Sequence, residues 1–150
     1  MGKALSKFSA RIFPLVALAM SIYHLWQVMI PKMDPTLHQD VHLAFALSLV
    51  FLSAMNVKES DKPGRALISQ LVSLFFLICS LVSTIYIYTN FGALVNRAGR
   101  YTSVDTVIGL IMILAVLEAT RRTYGILLPS LVTIALLYGH FGYLLPGIFR

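Results

Sequence analysis

The chain has 150 residues, 58% of them hydrophobic and only 12% charged, with a net charge of +6. A soluble domain carries about 25% charged residues, so little sequence remains for a water-solvated globule, and the charges that exist sit at the ends of apolar stretches rather than in basic runs with interleaved aromatics, which argues against nucleic acid as a partner. The single cysteine, Cys79, lies inside an apolar stretch, which excludes an intramolecular disulfide and reads as a small packing residue.

Five apolar stretches cover residues 12–30, 41–55, 66–88, 104–119 and 124–145. A helix needs roughly 20 residues to cross the ~30 Å hydrocarbon core of a bilayer, so the second and fourth require their flanks in order to span. The expected fold is all-α: a polytopic membrane helical bundle of four transmembrane helices plus a fifth. Residues 1–11 read as a basic leader, residues 12–122 as the four-helix region, and residues 123–150 as the fifth helix.

The leader carries Lys3, Lys7 and Arg11 ahead of the first stretch, which resembles a signal peptide. The stretch is too long for one and ends in Val28-Met29-Ile30-Pro31 without a small-residue cleavage site, so it reads as a retained helix. His24 and Gln27 lie three residues apart on one helical face. Polar groups at that depth face other helices, and interhelical hydrogen bonding is expected ahead of a proton or ion relay. Tyr23 and Trp26 suit an interfacial aromatic belt.

Pro31 and Pro35 bound a tight turn, and the second helix is expected to begin near Leu37. His38 and His42 stand at i and i+4, a spacing compatible with metal ligation. No zinc-protease Glu lies between them and no third ligand beyond Asp40 is evident, so an interfacial hydrogen-bonding cluster is expected, with no metal or other cofactor. Pro63-Gly64 reads as the turn before the third helix. There Ser69, Ser73, Ser80 and Thr84 fall within about 60° of one face at ~100° per residue, a line of small hydroxyl side chains that lets another membrane helix approach closely. Phe76 interrupts the line. Residues 89–103 read as the longest polar connection, with room for a short interfacial helix before Gly99. Thr102 and Asp105 have capping-box spacing at the start of the fourth helix.

That helix ends in Glu118, Arg121 and Arg122, spaced for ion pairing along the helix and placed to meet headgroup phosphate. Glu118 reads as the only acid within a helix body. Pro129 is expected to kink the fifth helix, and Pro146-Gly147 to end it. No phosphate-binding glycine loop, cysteine pair, nucleophile elbow or paired-carboxylate constellation is present in the sequence, which points to a scaffold rather than an enzyme.

Cytoplasmic loops carry excess Lys and Arg. With the N-terminus inside, the inner segments hold Lys3, Lys7, Arg11, Lys58, Lys62, Arg65, Arg121 and Arg122, and the outer ones only Lys32, Arg97, Arg100 and Arg150. The expected orientation is therefore N-terminus cytoplasmic, in a bacterial or archaeal inner membrane.

Three segments carry a family resemblance: Asn96-Arg97-Ala98-Gly99-Arg100, Leu117-Glu118-Ala119-Thr120-Arg121-Arg122-Thr123-Tyr124-Gly125, and His42-Leu43-Ala44-Phe45-Ala46-Leu47. Over roughly residues 14–148 the chain resembles the N-terminal region of fused TRAP transporter permeases of the TAXI subtype. The resemblance implies a four-helix small membrane subunit, with the fifth stretch similar to the first helix of the large subunit. It further implies an elevator-type secondary transporter that takes up an organic-anion solute, delivered by a periplasmic TAXI-type substrate-binding protein and driven by a sodium or proton gradient. The chain stops at Arg150, where the transport domain of a fused permease would follow, so either a separate small subunit or a fragment is expected. The partners expected are the large permease subunit, the binding protein and membrane phospholipid. Arg97 and Arg100 are then candidates for contact with the binding protein. Glu118, Arg121 and Arg122 are candidates for anchoring to the large subunit or lipid. No substrate-binding or catalytic residue carries over. The alternative is a self-contained small channel or regulatory subunit using His24, Gln27, Gln70 and His140.

Overall fold

A computed structural model of the chain describes residues 2–30, 33–56 and 63–141, without the side chains of residues 3, 63 and 65. The expectations placed on Lys3, Pro31, Lys32, Lys58, Lys62, Arg65, Pro146, Gly147 and Arg150 lie outside the described residues. Five helices follow one another: α1 Gly2–Met29, α2 Pro35–Ala54, α3 Pro63–Asn96, α4 Ser103–Tyr124 and α5 Leu127–Phe141. Among the described residues there is no strand, so the all-α bundle forms as expected.

The boundaries follow local chemistry. The leader is not a separate tail, because α1 begins at Gly2 and runs through Pro14. Asp34 caps α2 by accepting from the Thr36 amide at 2.8 Å, and Pro35 occupies the first turn, where its missing N–H costs nothing. Residues 35–40 thus supply the flank that stretch 41–55 needed. Pro63 and Gly64 do not form a turn; they open α3. At its other end α3 continues past the apolar stretch to Asn96, because Thr89 and Asn90 bond back to the carbonyls of Ile85 and Tyr86 at 2.8 and 2.9 Å. The separate interfacial helix expected before Gly99 is therefore the last two turns of α3. The chain then reverses at Gly99, whose φ of 81° suits a residue without a side chain. Pro129 lies in the first turn of α5, where its missing N–H breaks no hydrogen bond within the helix.

Segments of four helices, Ala4–Met29, Pro35–Ala54, Ala66–Asn96 and Ser103–Tyr124, are long and apolar enough to cross a membrane, at mean hydropathies of 1.5, 1.3, 2.2 and 1.9. The described part of α5 covers 15 residues.

The helices run antiparallel in sequence. Helix α2 pairs most extensively with α3, α1 lies against α2, α4 lies against α3 and α2, and α5 packs on α4. One end of the bundle, the N-terminal face, carries the starts of α1 and α3 and the ends of α2 and α4. The far face carries the α1–α2 and α3–α4 connections. The packing is inverted relative to a soluble protein. Among the described residues, the most deeply buried side chains include the polar Ser9, Gln70, Ser73, Ser80 and Ser83 beside Phe51, Met55 and Ala115. The outside displays Leu18, Ile22, Leu25, Val28, Ile78 and Ile85. Lipid is as apolar as leucine, so helices associate in it through close packing and hydrogen bonds rather than through apolar burial.

Candidate functional site

Polar chemistry between helices is densest in three places. The first is at the end of α4, on the N-terminal face. Arg121 grips Glu118 with two bonds, Nε to Oε2 at 2.7 Å and Nη2 to Oε1 at 2.8 Å. Arg122 adds Nε to Oε1 at 2.7 Å, so one carboxylate holds two guanidinium groups. Arg122 also reaches across the bundle. Its Nη1 donates to Ser73 Oγ on α3 at 2.6 Å, Ser73 in turn donates to the Ser69 carbonyl at 2.7 Å, and the guanidinium carbon lies 6.0 Å from the Phe51 ring centre on α2. The side chains of Arg122 and Glu118 are 12% and 14% exposed, whereas Arg121 is 50% exposed. Arg122 is thus an internal tie among three helices, and of the two arginines Arg121 is the one turned outward.

The second place is the α3–α4 connection on the far face. The expected capping box is present: Thr102 Oγ1 accepts from the Asp105 amide at 3.3 Å, and Asp105 Oδ2 accepts from the Thr102 amide at 2.7 Å. Asp105 does more than cap. Its Oδ1 takes Tyr86 Oη at 2.6 Å and Arg97 Nη2 at 2.7 Å, which binds the end of α3 to the start of α4. The Asp105 side chain is 4% exposed. Arg97 is therefore committed to an internal ion pair, and Arg100 beside it is exposed. An apolar cleft of about 470 Å³ runs below this loop, lined by Tyr86, Leu94, Tyr101, Asp105, Gly109 and Ile113.

The third place joins α1 to α2 near the far face. His24 Nδ1 lies 2.7 Å from the Met20 carbonyl and its Nε2 2.9 Å from His42 Nδ1. Tyr23 Oη lies 3.0 Å from His38 Nδ1 and 3.4 Å from Met33 Sδ. The His24 ring stands edge-on to both His38 and His42, with centres 5.3 and 5.0 Å apart. Sequence spacing paired His38 with His42 along α2, but His42 takes its partner from α1. Among the described residues no three His, Cys, Asp or Glu side chains stand together as a metal-ligand set.

The serine face of α3 is absorbed by the chain itself. Ser73, Ser80 and Thr84 are buried and Ser69 is half-buried, and Ser80 donates to the Leu77 carbonyl at 2.9 Å. Phe76 does not interrupt this face. It stacks on Phe51 of α2 with ring centres 5.8 Å apart, so it is part of the same contact. Ser83, absent from the sequence reading, is fully buried on that side, and Gln70 donates from Nε2 to the Met55 carbonyl at 3.0 Å. Gln27 is 8% exposed, as expected for an inward-facing group, and its Oε1 has no partner. His140 lies on the exposed α5, in edge contact with Phe141. Glu118 is not alone as an acid within a helix: Asp40 is the sixth residue of α2 and is half-buried, with Oδ2 unpartnered.

Helices of this length and surface define a multi-pass helical membrane protein. No known protein family, curated protein or solved structure matches the chain.

Proposed function

We propose that the chain is a non-catalytic scaffold subunit of a TRAP-type secondary transporter of the TAXI subtype. In this reading it sits in a bacterial or archaeal inner membrane with the N-terminus cytoplasmic. It braces a large permease subunit that takes up an organic anion, delivered by a periplasmic binding protein and driven by an ion gradient. The observation that carries the reading is where the resemblance segments fall. The Leu117–Gly125 segment supplies Glu118, Arg121 and Arg122, which tie α4 to α3 and α2. The segment beginning at Asn96 supplies Arg97, which ties α3 to α4 at the opposite face. Clasps at both ends of α4 suit a rigid body against which a transport domain moves. Helix α5 packs on α4 alone among the pairings of substance, in keeping with a helix that belongs with the large subunit.

The geometry redistributes the roles within this reading. Arg100 and Arg121 are the outward cations, for the binding protein at one face and for lipid phosphate or the large subunit at the other. Arg97 and Arg122 position the loop and the bundle. The test is co-purification with a large permease subunit encoded beside this chain, followed by solute uptake. Arg100→Glu should lower uptake by roughly tenfold or more, a loss of about 1.4 kcal/mol in docking, while co-purification is unchanged. Normal uptake in Arg100→Glu would remove the docking role, and absence of any permease partner would remove the scaffold reading. The α1–α2 imidazole cluster favours the second reading, a self-contained channel or regulatory subunit with its own polar path. A gene without a neighbouring permease would support it.

A further inference from the structure

Three of the four histidines in the chain, from two different helices, meet near the α1–α2 connection. We propose that His24 and His42 form a two-imidazole binding site for a divalent transition-metal ion of the zinc–copper class.

The argument begins with proton placement. A carbonyl oxygen only accepts, so the contact between His24 Nδ1 and the Met20 carbonyl at 2.7 Å puts the proton on Nδ1. In the neutral ring this leaves the lone pair on Nε2, aimed at His42 Nδ1 2.9 Å away. A ring N–H braced on a backbone carbonyl is the support that metal-ligating histidines characteristically have, since it fixes the tautomer and the ring orientation.

Imidazole nitrogens are suited to zinc and copper. Two bonds of about 2.0–2.1 Å at a tetrahedral angle place the nitrogens about 3.3 Å apart, so the pair needs to open by only about 0.4 Å from its present 2.9 Å. The ion takes the lone pair of His24 Nε2 and that of His42 Nδ1. The proton that His42 Nδ1 now donates moves to the Nε2 of the same ring, so the neutral pair releases no net proton. His42 is not enclosed by the bundle and lies in the first half of α2, toward the far face, which leaves coordination positions open. The site is independent of the transporter reading.

The test uses the full chain, without a polyhistidine tag, in detergent or nanodiscs. Titration with Cu2+ should give one bound equivalent with two or more imidazole nitrogens in its electron paramagnetic resonance spectrum. His24→Ala and His42→Ala should each weaken binding by roughly tenfold or more, and His140→Ala should leave it unchanged. Equal loss in all three variants, or none in the first two, overturns the site. Should either variant fail to fold, 15N imidazole shifts of the unsubstituted chain decide. Zn2+ must move His24 Nε2 and His42 Nδ1, and unmoved resonances at millimolar Zn2+ overturn it.

Discussion

At the scale of single residues, Glu118 is the side chain on which the N-terminal clasp turns. It neutralises two arginines, one of them nearly buried. Removing one partner of a buried charge group costs more than the group contributes as a whole, because the remaining charge is left uncompensated. Glu118→Ala should therefore destabilise the bundle by about 3 kcal/mol. Arg122→Ala loses bonds to Glu118 and Ser73 and should cost about 1.5–3 kcal/mol. Arg121→Ala, at an exposed position, should cost less than about 1 kcal/mol. Thermal unfolding in a mild detergent reads all three, and a loss for Arg121→Ala equal to that for Glu118→Ala would contradict this order. The Glu118 pairing was legible from its spacing of three and four residues. The Arg122–Ser73 bond, spanning 49 positions, was not, because it depends on α3 and α4 lying antiparallel at one particular register.

At the scale of helices, boundaries shifted wherever proline or a polar side chain extended a helix past its apolar stretch. The capping box at Thr102 and Asp105 is a short-range device and appears where spacing placed it, whereas Pro35, read as part of the turn, opens α2 two residues ahead of Leu37. The end of α3 escaped, because polar side chains that bond back to their own helix let it outlast its apolar stretch. The α4–α5 hairpin turns on Gly125, with φ 79° and ψ −166°. This conformation is essentially closed to residues with a β-carbon and costs of order 1–3 kcal/mol when forced. A β-carbon there would meet no atom within 4 Å, so the penalty is backbone strain alone. Gly125→Ala should raise hydrogen exchange in α5 while α1–α4 keep their protection. Unaltered exchange in α5 would show that its docking on α4 does not depend on the turn.

At the scale of the whole molecule, solvent decides what holds the fold. With lipid outside, the apolar surface needs no burial, and specificity moves to buried serines, Gln70 and the three clasps. The proposed orientation, with the N-terminus cytoplasmic, rests on the charge asymmetry between the two faces. In a Cys79→Ser background, Tyr101→Cys should react with an impermeant maleimide added outside intact cells, and Thr123→Cys should react only after the membrane is opened. The reverse pattern would invert the topology. Both positions are exposed in the fold, so differences in labelling report the side of the membrane rather than burial.

The amino-acid sequence alone determined the helical class and the apolar character of the helices, four of them long and apolar enough to span a membrane, because hydropathy and length are sums over neighbouring residues and need no knowledge of contacts. It also determined the local pairs at Thr102–Asp105 and Glu118–Arg121, which lie within one turn. Only the tertiary structure decided that Arg122 and Arg97 face inward, that the serine line of α3 is filled by this chain's own helices, and that His42 pairs with His24 across 18 positions. Each of these depends on helix register and rotation. In a bilayer those are set by where a few polar groups find one another, and periodicity along a single helix carries no record of the partner.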